Sequence, residues 1–233
     1  MASVRSSARP LGRIETMTRT LVLSGAGRYA DPWHAFPRTS ARIRDVLGDL
    51  GHDVEVSEDV EERMADLSDI DLLVVNVGCP DEPESAGLAA ARDGLLAFVA
   101  RGGALLSVHV SATSFPTLPE WEAVVGGRWV RGQTMHPPIG TAQVRVLPTG
   151  HPVTAGLADF ELHDERYSYL RTAADLTVLA EHDHDGRSHP LVWVRESSSG
   201  RVAYDALGHG VESYDSEPRR QLLANEARWL LGG

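Results

Sequence analysis

The sequence predicts an α/β protein. One domain is expected, built on a doubly wound parallel sheet covered by helices in three layers, with a polar site at the carboxyl ends of the strands. Three observations predict it. Short apolar runs alternate with amphipathic helical runs through the first half of the chain. The run Asp71 to Val77 (DLLVVNV) is nearly all apolar, as a central strand covered on both faces must be. Histidines sit at the ends of two further strand runs, His109 and His209, where open parallel sheets place their ligands.

The elements follow in order. Thr20 to Ser24 (TLVLS) reads as the first strand and runs directly into Gly25 and Gly27. Pro37 suits the first turn of a helix whose apolar face is Ile43, Val46, Leu47 and Leu50, closed by Gly51. Asp53 to Val56 is a short second strand, and Asp71 to Val77 is the central one. Residues 78–86 form a loop. Leu88, Ala91, Leu95, Phe98 and Val99 then mark a second helix that ends at Arg101-Gly102-Gly103. Ala104 to Val110 (ALLSVHV) is the next strand, and right-handed crossovers link these units.

Residues 111–140 carry Pro116, Pro119, Pro137 and Pro138 and read as an excursion above the sheet. Gln143 to Leu147, Leu176 to Ala180, Leu191 to Val194 and Arg201 to Ala206 are strands of a second half. The last helix is expected over about Pro218 to Leu231. Leu222, Leu223, Ala227 and Leu230 form its buried side, and Arg219, Arg220 and Arg228 its solvated side. Residues 1–18 are polar, Ser- and Arg-rich and without apolar periodicity, which predicts a disordered tail before an α/β domain over 19–233. Met17 is an alternative start.

Bulk composition excludes several classes. The chain has 233 residues and a formal net charge of -11, which disfavours nucleic acid and anionic membrane as partners. One cysteine, Cys79, permits no internal disulfide and no Cys-x-x-Cys metal site. The start of the chain lacks the apolar stretch of a secretory signal and no run is long enough to span a membrane, so a cytoplasmic location is expected. Gly25-Ala26-Gly27 is not a dinucleotide fingerprint, since position 30 is alanine. Neither a phosphate-binding GxxxxGK[ST] loop nor a GxSxG elbow occurs.

The polar residues that follow strands carry the chemistry. His109 (LLSVHVSAT) and His209 (DALGHG) stand at the ends of two strands, and each reads equally as a core or turn histidine. Asp164, Glu165 and Tyr167 (HDERYSY) form a dense polar cluster, able to orient an imidazole, act as a base or bind metal. The bland alternative is a charged surface turn. Trp33 and His34 (DPWHAFP) fall after the first strand, and Arg131 and His136 fall in the excursion as rim residues. His182, His184 and His189 look metal-like but occupy a hairpin-rich stretch, and solvated surface histidines are expected there. Cys79 is expected to be an inert small residue.

Taken together, the motifs resemble the trehalose-utilisation ThuA-like family over roughly residues 20–232. Arg101-Gly102-Gly103 precedes a strand ending in His109. Gly126, Gly127 and Trp129 match a Gly-Gly-x-aromatic element, with His136 after it. His151-Pro152-Val153 with Gly156 and Leu157, Asp164-Glu165 with Tyr167, and Pro190 to Trp193 follow in order. Gly200 to His209 and the pair Asn225 and Trp229 close the series. The resemblance implies a flavodoxin-like parallel sheet like that of the class I glutamine amidotransferases, and a role in carbohydrate use. The chain departs from the family at Asn76 to Cys79, where many members carry histidine or tryptophan.

Glutaminase activity is not expected, because the strand-to-helix elbow supplies His109, Val110 and Ser111 rather than a nucleophilic cysteine. The expected function is an enzyme acting on a sugar or keto-sugar derivative. His109, His209 and Glu165 are its catalytic group and the candidate ligands of a zinc-like divalent ion. Trp33, His34, Arg131, His136, Asp164 and Tyr167 are expected to bind substrate. The alternative is a non-catalytic module that binds a carbohydrate or small metabolite, stacking it on Trp33, Tyr167 and Tyr169. A homo-oligomer is compatible with either.

Overall fold

Three consecutive apolar stretches form the centre of the sheet. In the computed structural model, which describes residues 17–197 and 200–233, they are β1 (Arg19–Ser24), β3 (Leu72–Asn76) and β4 (Ala104–Val108). Every residue of β3 and β4 is buried, as two-sided coverage requires. The tail expected over residues 1–18 lies, as far as residue 16, outside the described residues.

Flanking these are β2 (Asp53–Ser57), with helices α1 (Phe36–Asp49), α2 (Val60–Ala65) and α3 (Leu88–Ala100) as crossovers. Pro37 occupies the first turn of α1, where its missing N–H costs nothing. The excursion contains a short helix α4 (Pro119–Val125) and β5 (Gly127–Arg128). The second half comprises β6 (Gly140–Val146), β7 (Phe160–Asp164), β8 (Arg171–Thr172), β9 (Thr177–His184), β10 (Arg187–Ser197), β11 (Gly200–Asp205) and the closing helix α5 (Glu217–Leu230). The main sheet has nine strands in the order β2-β1-β3-β4-β11-β10-β9-β6-β7, and β5 pairs with β8 apart from it.

The sheet is mixed: the expected parallel arrangement holds for its first part and gives way to antiparallel pairing in the rest. β2, β1, β3, β4 and β11 are parallel, while β10, β9, β6 and β7 follow as antiparallel neighbours. The cause is local. Asp185 and Gly186 take φ of 51° and 71° between β9 and β10, which makes a two-residue hairpin. Such a connection cannot provide the long crossover that parallel neighbours need. β6 pairs with β9 only through Arg145 and Val146 and gives residues 140–144 to β7. The β6–β7 pair thereby returns over the carboxyl edge of the parallel strands, where Asp164 at the end of β7 meets Gly208 after β11.

Two further expectations change. Arg219, expected on the solvated side of α5, is fully buried and forms an ion pair at 2.9 Å with Asp205, the last residue of β11. Its neighbours Arg220 and Arg228 are exposed as expected. His182 and His189 are also buried, at 1% and 5% exposure, because the hairpin folds their strands over Tyr167 to Tyr169. His182 lies close to the Tyr167 carbonyl at 3.0 Å, and His189 Nδ1 accepts from the Tyr169 amide at 3.2 Å. They brace a loop and offer no metal site.

Candidate metal and catalytic centre

The centre is assembled from four segments on one edge of the sheet. His109 is the first residue after β4 and opens a 3-10 turn over His109–Thr113. Its φ of 47° is a left-handed conformation that costs a non-glycine residue about 1–3 kcal/mol and is held only by its surroundings. Tyr204 Oη donates to the His109 carbonyl at 2.8 Å. The His109 Nδ1–H donates to the Ala206 carbonyl at 2.6 Å. A carbonyl can only accept, so Nδ1 carries a proton and Nε2 is the atom left to face the cluster. That atom faces Tyr167 Oη at 3.0 Å and Glu165 Oε2 at 3.4 Å.

His34 repeats the arrangement from the loop after β1. Its Nδ1 lies 2.8 Å from both Asp31 oxygens, and its buried Nε2 has no hydrogen-bond partner. Asp31 also accepts the Trp33 and His34 amides at 2.9 Å, so one carboxylate both shapes the turn and orients the ring. Burial opposes ionisation of Asp31, but these hydrogen bonds outweigh it and hold its carboxyl below the usual range. Burial pushes the His34 pKa down, which favours the neutral, ligating imidazole.

His209 follows Gly208, whose φ of 115° and closeness to Tyr214 exclude a side chain: a Cβ there would lie 2.7 Å from Tyr214 Oη. Asp164 fixes this turn. It is fully buried and accepts from the amides of Glu165, Gly208 and His209 at 2.9, 2.8 and 3.1 Å and from Ser213 Oγ at 2.6 Å. Those four contacts occupy its carboxylate, so Asp164 builds the site from behind and has no surface of its own facing the opening.

Glu165 completes the group. Its Oε2 stands between His109 Nε2 and His209 Nδ1, the latter at 3.3 Å, and its Oε1 lies 3.5 Å from His136 Nε2. Burial pushes the Glu165 pKa up, but the imidazoles of His109 and His209 beside it outweigh burial and hold the carboxyl well below its ordinary range. The Glu165 carboxylate beside it raises the His209 pKa against the effect of burial. Burial lifts the Tyr167 phenol far above its ordinary value, so it keeps its proton at neutral pH.

His34, His109, His209 and Glu165 each offer a ligand atom, all within 4.8 Å of one another. Three imidazole nitrogens and one carboxylate oxygen are a donor set suited to zinc and related divalent ions. The Nδ1 contacts of His34 to a carboxylate and of His109 to a carbonyl are the outer contacts that aim ligating imidazoles.

The structure thus brings His34, His109, Glu165, Tyr167 and His209 together, with His136 at the rim, its side chain 37% exposed. Trp129, which the sequence reading placed only in a family motif, packs on Tyr167 at 4.7 Å between ring centres. Trp33 and Arg131 stand outside the cluster. Trp33 is 74% exposed, and Arg131 favours ionisation of the nearby Cys79 thiol against the upward effect of burial. Asp31 and the Ala206 carbonyl escaped the sequence reading. For Asp31 a signal existed: an Asp three residues before a histidine, followed by proline, is a side-chain-capped turn. For Ala206 there was none, since every residue supplies a carbonyl.

Comparison with known proteins agrees with this architecture. Two solved structures described as ThuA-like superpose closely. That from Parabacteroides merdae has a TM-score of 0.77 at 19% identity, covering 94% of this chain and 91% of its own. That from Bacteroides uniformis has a TM-score of 0.73 at 20% identity, covering 96% and 95%. A glutamine amidotransferase of Thermotoga maritima shares the fold at a TM-score of 0.59 and 8% identity, covering 94% of this chain and all of its own (100%). No curated protein matches the chain. The sequence pattern of the ThuA family, described as trehalose utilisation, matches residues 19–230, and the chain belongs to that family.

Proposed function

We propose that this protein is an enzyme that holds a divalent ion at His34, His109, His209 and Glu165 and acts on a sugar or keto-sugar derivative. The observation that supports it is the convergence of those four side chains from four separate segments within 4.8 Å. Two of the rings are aimed inward by contacts at Nδ1. A bound ion would supply Lewis-acid polarisation of a carbonyl or a more acidic water. Tyr167 keeps its proton at neutral pH and directs its hydroxyl at His109 Nε2, which suits it to donate to a substrate oxygen. His136, partly exposed beside Glu165, stands where the group meets solvent. Asp31, Asp164 and the Ala206 carbonyl act as positioning groups.

The carbohydrate part of the reading is supported by the family's description. Of the three aromatic residues a purely binding role would stack a ligand on, Trp33 is exposed and the two tyrosines are engaged. The Tyr167 ring is buried against His109 and Trp129, and Tyr169 packs on His189. Glutaminase activity is not part of the proposal. The elbow residue is His109, and Cys79, after β3, has a thiol whose pKa burial pushes up.

The test is turnover of a panel of 3-keto sugars and their glycosides by metal-loaded wild type and His109→Ala. Product formed by the wild type and reduced at least a hundredfold in the variant is expected. Saturable sugar binding without turnover would replace the enzyme with a binding module.

A further inference from the structure

A cavity of about 360 Å³ lies beside β6 and β9, away from the histidine cluster, lined by Gln143, Arg145, Asp159, Arg166, His182 and Asp183 among others. Most of these polar groups are already engaged. Arg145 donates to Glu181, Asp183 and Ser188. Gln143 donates to Glu161, and Asp159 accepts from the Val146 amide at 2.8 Å.

Arg166 and His182 differ. The Arg166 guanidinium has no ion pair among the described residues, and its Nε is buried without a hydrogen-bond partner. His182 is 1% exposed and gives its Nε2–H to the Tyr167 carbonyl at 3.0 Å. Its Nδ1 is therefore a lone-pair acceptor, and it too is buried without a partner. Buried polar groups are ordinarily satisfied, and here an unmet donor with a positive charge and an unmet acceptor border the same cavity.

We propose that this cavity is a second binding site, for a small hydroxylated carboxylate of the sugar-acid class. The carboxylate lies on the Arg166 guanidinium and a hydroxyl donates to His182 Nδ1. Arginine suits the planar anion, and the neutral imidazole requires a donor, which a bare carboxylate lacks. The volume suits a ligand of this size. The site borders the segment that carries Tyr167, because Arg166 is its chain neighbour and His182 holds its carbonyl. The proposal stands whether or not the histidine cluster is catalytic.

Calorimetric titration with D-gluconate tests it, with acetate and myo-inositol as probes of the carboxylate and hydroxyls alone. Saturable gluconate binding is expected, at least tenfold tighter than either comparator. Arg166→Gln should weaken it at least tenfold and Arg166→Lys less, each with the wild-type melting profile as the check of folding. His34→Ala should leave it unchanged. The proposal is overturned if gluconate does not bind, if acetate or myo-inositol binds equally well, or if folded Arg166→Gln and Arg166→Lys both bind as the wild type does. Loss of binding in His34→Ala with retention in Arg166→Gln would place gluconate in the histidine cluster and overturn it as well.

Discussion

Glu165 Oε2 lies 3.3 Å from His209 Nδ1, at the meeting point of a loop that follows an antiparallel strand and one that follows a parallel strand. The two residues influence each other in opposite directions. The Glu165 carboxyl is held low, and the His209 imidazole is held high.

That relationship fixes a pH window for the metal-free protein. Glu165, with a depressed pKa, contributes stability above its unfolded pKa, near 4.3, and loses it as pH falls through the folded value. His209, with a raised pKa, contributes stability below its unfolded pKa, near 6.5, and loses it as pH rises through the folded value. The pair is therefore strongest between about pH 4.5 and 6.5. In chelator-treated protein, Glu165→Gln should lower the melting midpoint more at pH 5.5 than at pH 8.5, by roughly 2–4 °C for each kcal/mol lost. An equal loss at both pH values would show that the pair is not ionised as described.

Asp31 touches the centre through His34. Asp31→Asn should weaken zinc binding about 10- to 100-fold, the usual effect of losing an outer partner of a ligating histidine. Competition with a chromophoric chelator measures it. Unchanged affinity would remove Asp31 from the site.

The ion pair of Arg219 and Asp205 is fully buried at both ends. Arg219→Met should destabilise the fold by about 3–5 kcal/mol, because buried Asp205, with the Glu226 carboxyl beside it, is left without its cation. Adding Asp205→Asn should restore part of the loss. Denaturant unfolding of both variants checks this, and a single variant as stable as the wild type would contradict it.

Cys79 sits outside the cluster with its thiol pKa raised, by burial above all. Cys79→Ser should leave the melting midpoint and the catalytic rate near wild type. A large fall in rate with the fold intact would bring the thiol into the mechanism.

The strands and helices of the first half were legible because their apolar residues recur with periods the backbone imposes. Leu72 to Asn76 and the stripe Leu88, Ala91, Leu95 and Phe98 lie where that pattern places them. β7 went unread: FELHD alternates buried with exposed residues as a half-covered strand does, but the run is five residues long and passes directly into the polar Glu165 and Arg166. The antiparallel second half was signalled by Asp185-Gly186, a hairpin pair set among histidines that drew attention to metal chemistry. His109 and His209 were placed on one edge by where their strands end, and Glu165 was joined to them only by the Asp-Glu-x-Tyr element of the family resemblance. The inward aim of His34 depends on Asp31, and the strained φ of His109 on Tyr204 and Ala206, contacts made only by the folded chain.

The central claim is that His34, His109, His209 and Glu165 act together as one metal centre. Titration of zinc into chelator-treated protein tests it most directly. One tight site per chain is expected, weakened at least a hundredfold in His109→Ala and in Glu165→Gln. Absence of a tight site, or affinity unchanged by both substitutions, would contradict it.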